Sequence, residues 1–195
     1  MSGYTEATKR LVEFAPVTGI CWQDILVRTH RSGHTDKTAN EVETVTAINV
    51  LEDTLRTSFG EIENVNSNLL EWREVDGQPG NYIKVLTVDE KRHRVDFLFR
   101  QDPHQEFAKH THRCTAVALT LEGLWGYREG EELHFPGTFS YEPPGSAHTP
   151  YSSEQGMTVY ASFQGTGPEM LDILDEDDNV IDTLTLDFFK QYYQP

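Results

Sequence analysis

The stretch GTFSYEPPGSAHTP, Gly137 to Pro150, decides how the rest of the chain is read. Its first half alternates polar and aromatic residues, as a strand does when its two faces meet different surroundings. Pro-Pro-Gly then imposes a turn, and His148 emerges just beyond it. Upstream, in KHTHRC, His110 and His112 are two residues apart. Residues i and i+2 of a strand point to the same face, so these two imidazoles stand side by side. Adjacent strands lie about 4.8 Å apart, so a third imidazole on a neighbouring strand reaches a metal held by the first two. One His-x-His among eight histidines is weak evidence alone, and it reads equally well as two exposed residues on a sheet face. By itself, His148 reads as a surface or core histidine. Together, with a Pro-Pro-Gly turn between them, the three make a candidate metal site.

Outward from these segments the texture is that of strands. From about Leu69 onward come YIKVLTV (82–88), RVDFLF (94–99), TAVALTL (115–121), TFSYE (138–142) and MTVYASF (157–163). They are separated by turn-forming runs such as DGQPGN, EGEE, PPGS and QGTGP. Many short strands with Gly and Pro turns indicate a mostly β sandwich or barrel. In RVDFLF, Val95, Phe97 and Phe99 share one face and Arg94, Asp96 and Leu98 the other, so one face belongs to a core.

Residues 1–65 read as a separate, partly helical arm, and residues 66–195 as the β domain. Thr5 to Phe14 suits a short helix ending before Pro16. Thr38-Ala-Asn-Glu41 resembles a capping box, after which Val42, Val45, Ile48, Leu51 and Leu55 recur at helical spacing, with Gly60 as the stop. The interleaved Thr44, Thr46 and Val50 weigh against that helix, because β-branched residues disfavour it.

The chain has 195 residues, 32 acidic against 16 basic, and a formal charge of -16. So negative a surface repels phosphate backbones and anionic lipid, so neither nucleic acid nor membrane is expected as a partner. No apolar block follows the N-terminal charges, and no apolar stretch is long enough to span a bilayer. The two cysteines, Cys21 and Cys114, lack a CxxC partner and read as free thiols. These features point to the cytoplasm.

The chain resembles the cupin superfamily, whose fold is a double-stranded β-helix, or jelly-roll barrel. One cupin motif runs Gly, five residues, Pro, one residue, Gly, two residues, His, and Gly137, Pro143, Gly145 and His148 match it throughout. The other runs His-x-His, a Glu four or five residues on, and a later Gly. Here His110, His112 and Gly123 match, but Ala116 and Val117 stand where the Glu belongs. The likeness covers roughly residues 69 to 190. The missing Glu implies a metal on His110, His112 and His148 alone. That arrangement resembles the acetylacetone dioxygenase and 2,4′-dihydroxyacetophenone dioxygenase group, and LEGLWGYREG and YEPPGSAHT look like the second of these in particular. The resemblance implies a non-haem Fe(II) dioxygenase that uses O₂ to cleave a carbon–carbon bond of a small diketone or hydroxyketone. The acetylacetone enzyme keeps a Glu six residues before its last histidine ligand, and Glu142 has that offset from His148.

Elementary chemistry agrees with that implication. Three neutral imidazoles leave the metal its full charge, which favours a bidentate anionic substrate, and facial nitrogen ligation with open positions suits Fe(II). Zn(II) fits the same ligands with water as the fourth, and Ni(II) is a further candidate. Glu142 is the candidate catalytic acid–base group or a hydrogen-bond partner of a ligand, against the blander reading of an exposed acid at a strand end. If the polar face of Thr138, Ser140 and Glu142 points inward, Glu142 is near the metal.

Trp125, Tyr127, Phe97 and Tyr160 are candidate pocket walls, although aromatics at period two also serve as plain barrel core. Cys114 is a possible thiolate or a small buried hydrophobe. Lys109 and Arg113 could steer an anion or point to solvent. His30 and His34 have helical ligand spacing but sit in a Gly- and Ser-bearing loop. Two rivals stand beside the dioxygenase: a Zn or Ni cupin enzyme without O₂ chemistry, and a non-catalytic metal-binding sensor like the cupin half of some anti-sigma factors. A homodimer is expected by analogy.

Overall fold

The computed structural model describes residues 53–195, and the expected alternation appears there as thirteen strands and one short helix. The strands are β1 (Arg56–Phe59), β2 (Ile62–Val65), β3 (Arg73–Val75), β4 (Gln78–Asp89), β5 (Arg94–Gln101), β6 (His110–His112), β7 (Thr115–Tyr127), β8 (Leu133–His134), β9 (Phe139–Glu142), β10 (Ala147–His148), β11 (Pro150–Gln164), β12 (Glu169–Leu174) and β13 (Val180–Thr185). The helix α1 is Leu186–Lys190. The expected helix over Thr5–Phe14, the start of the one after Glu41, and His30 and His34 lie outside the described residues. The end of that second helix does not form: Arg56–Phe59 and Ile62–Val65 pair as a hairpin, with Gly60 at φ 61° in its turn. Arg56 fastens the hairpin, donating to the carbonyls of Gln194 and Leu86 and stacking on Tyr193.

The strands form two larger antiparallel sheets. One runs β3-β4-β5-β11-β7-β8, with β9 also pairing with β7, and the other runs β10-β6-β12-β13. The fold is cupin-like, but the ladders do not close into the barrel expected from the sequence. The smaller sheet ends at β10 and β13 and the path of the larger one at β3 and β8, and among the described residues no ladder joins these edges.

Both sheets feed one core. Val85, Val95, Phe97 and Phe163 come from the larger sheet, Leu171 and Leu184 from the smaller, and Phe189 from α1. Phe97 meets Phe163 edge to face at 5.0 Å, a geometry aromatic rings favour, and lies 5.2 Å from Phe189 with the rings tilted by 37°. Gly123 has φ 80° and packs directly against Gly156 on β11, where any Cβ would collide with the Gly156 carbonyl. The position therefore demands glycine. Among the described residues no helix is long and apolar enough to cross a membrane.

Candidate metal centre

The turn after β9 places His148. Gly145, at φ 90°, takes a conformation that suits the third position of a Pro-Pro-Gly-Ser turn. The Ser146 amide donates to the Pro143 carbonyl at 3.0 Å. The turn then docks on β6: the Gly145 amide donates to the His112 carbonyl at 2.7 Å, and the His112 amide to the Ser146 carbonyl at 2.9 Å. This fixes the register in which His148 lies directly opposite His110 and Ala147 opposite Thr111. Opposed residues of an antiparallel pair share a face, and His112 shares it by the period of two. All three imidazoles are buried, and their donor nitrogens lie within 4.8 Å of one another.

The geometry fits a metal ion. His112 Nε2 and His148 Nε2 are 3.3 Å apart, the spacing of two tetrahedral nitrogens each about 2.0–2.1 Å from a shared ion. His110 Nδ1 lies 2.8 Å from the Ala108 carbonyl, which can only accept, so that nitrogen carries the proton and Nε2 keeps its lone pair for a ligand bond. Burial, and then His112 and His148, push the His110 pKa down to about 3, so its ring is neutral throughout the physiological range. Burial likewise lowers His148, against the opposing pull of Glu142. His112 Nδ1 is buried and has no partner among the described residues.

Glu142 turns inward. Phe139 and Tyr141 are each 62% exposed, whereas the Glu142 side chain is 13% exposed. Its Oε2 lies 3.2 Å from His112 Nε2 and its Oε1 4.0 Å from His148 Nε2. Burial would raise the Glu142 carboxyl, but the hydrogen bond to His112, the charges of His112 and His148 and the Tyr127 hydroxyl outweigh it and hold the carboxyl below the usual range. The Tyr127 hydroxyl donates to Oε1. Burial and Glu142 together push the Tyr127 pKa far up, so it stays a donor. The Tyr127 ring also lies against His148 at 4.3 Å, tilted 34°.

Trp125, Tyr127 and Phe97 line the cavity beside the histidines. Tyr160 does not. On β11 the inward residues are Val159, Ala161 and Phe163, so period two sends Tyr160 to the opposite face. There its hydroxyl donates to Asp96 Oδ1 at 2.7 Å. Composition misled here, since Tyr160 faces out while its smaller aliphatic neighbours Val159 and Ala161 face in. Phe99, Phe107 and Val159 also line the cavity and were missed as wall residues. For Phe99 and Val159, the alternation of their strands carried the signal.

Lys109 and Arg113 are engaged away from the site, with Asp178 at 2.5 Å and Asp172 at 2.7 Å. Burial pushes the Cys114 thiol up to about 12, so it is a neutral, buried side chain. It does not belong to the group of candidate ligands.

The ChrR cupin-like domain family matches residues 62–166, more than half of the chain and inclusive of all three histidines. The chain belongs to this family. No curated protein matches it in sequence. Among solved structures, this ChrR-like cupin is similar to a putative acetylacetone dioxygenase from Methylibium petroleiphilum PM1, with 18% identity, TM-score 0.61, and 69% of this chain and 96% of that one covered. It is similar to an acetylacetone dioxygenase from Acinetobacter johnsonii, with 16% identity, TM-score 0.53, and coverage of 80% and 96%. A protein of unknown function with a cupin-like fold from Ralstonia eutropha JMP134 has 20% identity, TM-score 0.62, and coverage of 70% and 85%. At these identities the likeness speaks for the fold alone.

Proposed function

We propose that this ChrR-like cupin is a non-haem Fe(II) dioxygenase that cleaves a carbon–carbon bond of a small diketone or hydroxyketone. The observation that carries this reading is the convergence of three buried imidazoles at the head of an apolar cavity, with Glu142 beside them but outside the candidate ligand group. The likeness in fold to two structures described as acetylacetone dioxygenases supports it.

The roles of the chain's own residues follow from their positions. His110, His112 and His148 would hold the ion through their buried ring nitrogens beside the cavity, a donor set that suits Fe(II). Iron supplies the Lewis acidity that favours an anionic chelate and the redox chemistry for O₂. Glu142, ionised and held by Tyr127, accepts at its carboxylate the proton that the substrate gives up on binding as an anion. Tyr127 fixes Glu142 through its hydroxyl and His148 through its ring. Phe97, Phe99 and Trp125 keep water from the reacting end.

A second reading rests on the 3.3 Å separation of His112 Nε2 and His148 Nε2. That spacing equally suits tetrahedral Zn(II), as in a hydrolytic or lyase cupin or a non-catalytic sensor. Purification without oxygen, metal analysis, and oxygen uptake with a panel of diketones and hydroxyketones separates the readings. Iron with substrate-dependent uptake supports the dioxygenase. Tight zinc without uptake overturns it.

A further inference from the structure

Strands β8 and β9 both pair with β7, and the three strands bring four polar side chains together. His134 on β8 lies opposite Trp125, and Tyr127 follows Trp125 on the same face by the period of two. The His134 ring meets Trp125 edge to face at 4.3 Å and Tyr127 at 5.2 Å. On β9, Ser140 stands two residues before Glu142 and shares its inward face. The Ser140 hydroxyl lies 3.2 Å from His134 Nδ1 and also hydrogen-bonds the Tyr127 hydroxyl, which itself reaches Glu142 Oε1. A continuous chain of polar atoms therefore runs from Glu142 through Tyr127 and Ser140 to His134.

Its two ends differ. The Glu142 carboxylate is nearly buried and is hemmed in by His112, His148 and Tyr127. His134 is only half-buried, on a two-residue strand at the end of the larger sheet.

We propose that His134 is the outer end of a proton path that carries to water the proton Glu142 takes from the substrate. This rests on the role given to Glu142 above and adds the route out. His134 acts through Glu142 and touches no reacting atom.

The step moves protons and oxidises nothing. The Glu142 carboxyl gives its proton to the Tyr127 oxygen, Tyr127 passes its own to Ser140, and Ser140 passes its own to His134 Nδ1. Tyr127 gains a proton as it loses one, so no phenolate forms, a species that burial and Glu142 both oppose. His134 becomes an imidazolium and loses a proton to water from its other nitrogen. Among the described residues, the ionisable groups that act on this ring are Glu142 on β9, Glu132 just before β8 and the Tyr127 hydroxyl on β7. The two carboxylates favour the charged ring, but burial outweighs them and holds its pKa below the ordinary value. The ring is therefore neutral near pH 7, able to accept a proton and quick to shed it.

The full-length protein loaded with Zn(II), which has no O₂ chemistry, tests the path. It is mixed rapidly with acetylacetone in weak buffer. Enolate absorption follows chelation, and a pH-indicator dye follows the proton reaching bulk water. The variants are His134→Phe, which keeps a ring against Trp125 and Tyr127, and Ser140→Ala, which removes the middle hydroxyl. Ser140→Ala decides alone if His134→Phe fails to load zinc. We expect release to keep pace with chelation in the parent and to trail it by about a hundredfold in the variants, the low end for a positioned proton-transfer group. Release that keeps pace with chelation in a zinc-loaded variant overturns the path and leaves the role of Glu142 standing. Chelation and release slowed together also overturn it, since that marks a merely structural role. A parent that forms no chelate overturns the diketone reading itself, and the path with it.

Discussion

Ala116 on β7 and Glu142 on β9 lie directly opposite one another in antiparallel register. Ala116 is fully buried and occupies a position where the motif the sequence resembles carries its Glu. Opposed residues share a face, so the acid that β7 lacks is supplied from the neighbouring strand. The carboxylate is displaced outward by one strand, close enough to touch His112 Nε2 at 3.2 Å but not grouped with the three nitrogens as a ligand.

This relationship predicts a separation of binding from turnover. Glu142→Gln should keep metal content near that of the parent and lower turnover by about 10²-fold, the usual span for a lost acid–base group. Ala116→Glu combined with Glu142→Ala should hold the metal at least as well as the parent, as a four-ligand site, without restoring turnover. Metal analysis beside activity on each variant checks both statements. A Glu142→Gln protein with unchanged turnover would remove Glu142 from the chemistry.

The outer face of the larger sheet predicts an acid limb of stability. Asp96 is buried, which alone would raise its carboxyl, yet hydrogen bonds from Arg94, Tyr160, Ser162 and Thr87 hold it below the ordinary value. A carboxyl depressed by folding stabilises the fold at pH above the unfolded value, about 3.9. That contribution disappears as pH falls through the lower folded value. Asp96→Asn should therefore be destabilised at pH 7 and converge with the parent in acid. Denaturant unfolding followed from pH 7 downward measures it, and parallel curves for the two proteins would contradict it.

Much of the fold was readable from alternation and turn residues, and the metal site from two motifs. The strands after Leu69 follow period two, and the Pro-Pro-Gly turn seats His148 opposite His110 because its glycine tolerates positive φ. What could not be read depends on pairing between distant segments. Whether the ladders close depends on whether the edge strands β3, β8, β10 and β13 find partners, which local pattern does not specify. Glu142 could be assigned to either face of TFSYE, because polar residues on one side of a strand normally mean solvent there. Only its pairing with β7 and the Tyr127 hydroxyl turn that polar face inward. Tyr160 failed for the complementary reason: an aromatic residue on the outer face found a buried acid, Asp96, as its partner.

Tyr160→Phe then serves as a control. It removes one hydrogen bond to Asp96, so stability should fall by about 1 kcal/mol while metal content and ligand affinity stay unchanged. Loss of metal binding in this variant would put Tyr160 back in the site. Phe97→Ala should cost about 3–5 kcal/mol, since the ring packs on Phe163 and Phe189 in the shared core. Chemical denaturation of both variants checks the contrast.

Gly123→Ala is expected to be worse than an ordinary surface change. The residue sits at φ 80° and its new methyl would strike the Gly156 backbone. Strain of about 1–3 kcal/mol follows from the left-handed backbone alone. Thermal melting should show a clear drop or an unfolded product, and an unchanged melting temperature would contradict the packing described for β7 and β11.

The central claim is that His110, His112 and His148 bind one metal ion together. Metal content measured on the folded parent and on the three single His→Ala variants, with circular dichroism confirming retained β structure, tests it most directly. The account predicts close to one ion per parent chain and about a tenfold or greater loss in each variant, from the loss of one of three ligands. A folded His112→Ala protein that still holds one ion per chain would contradict it.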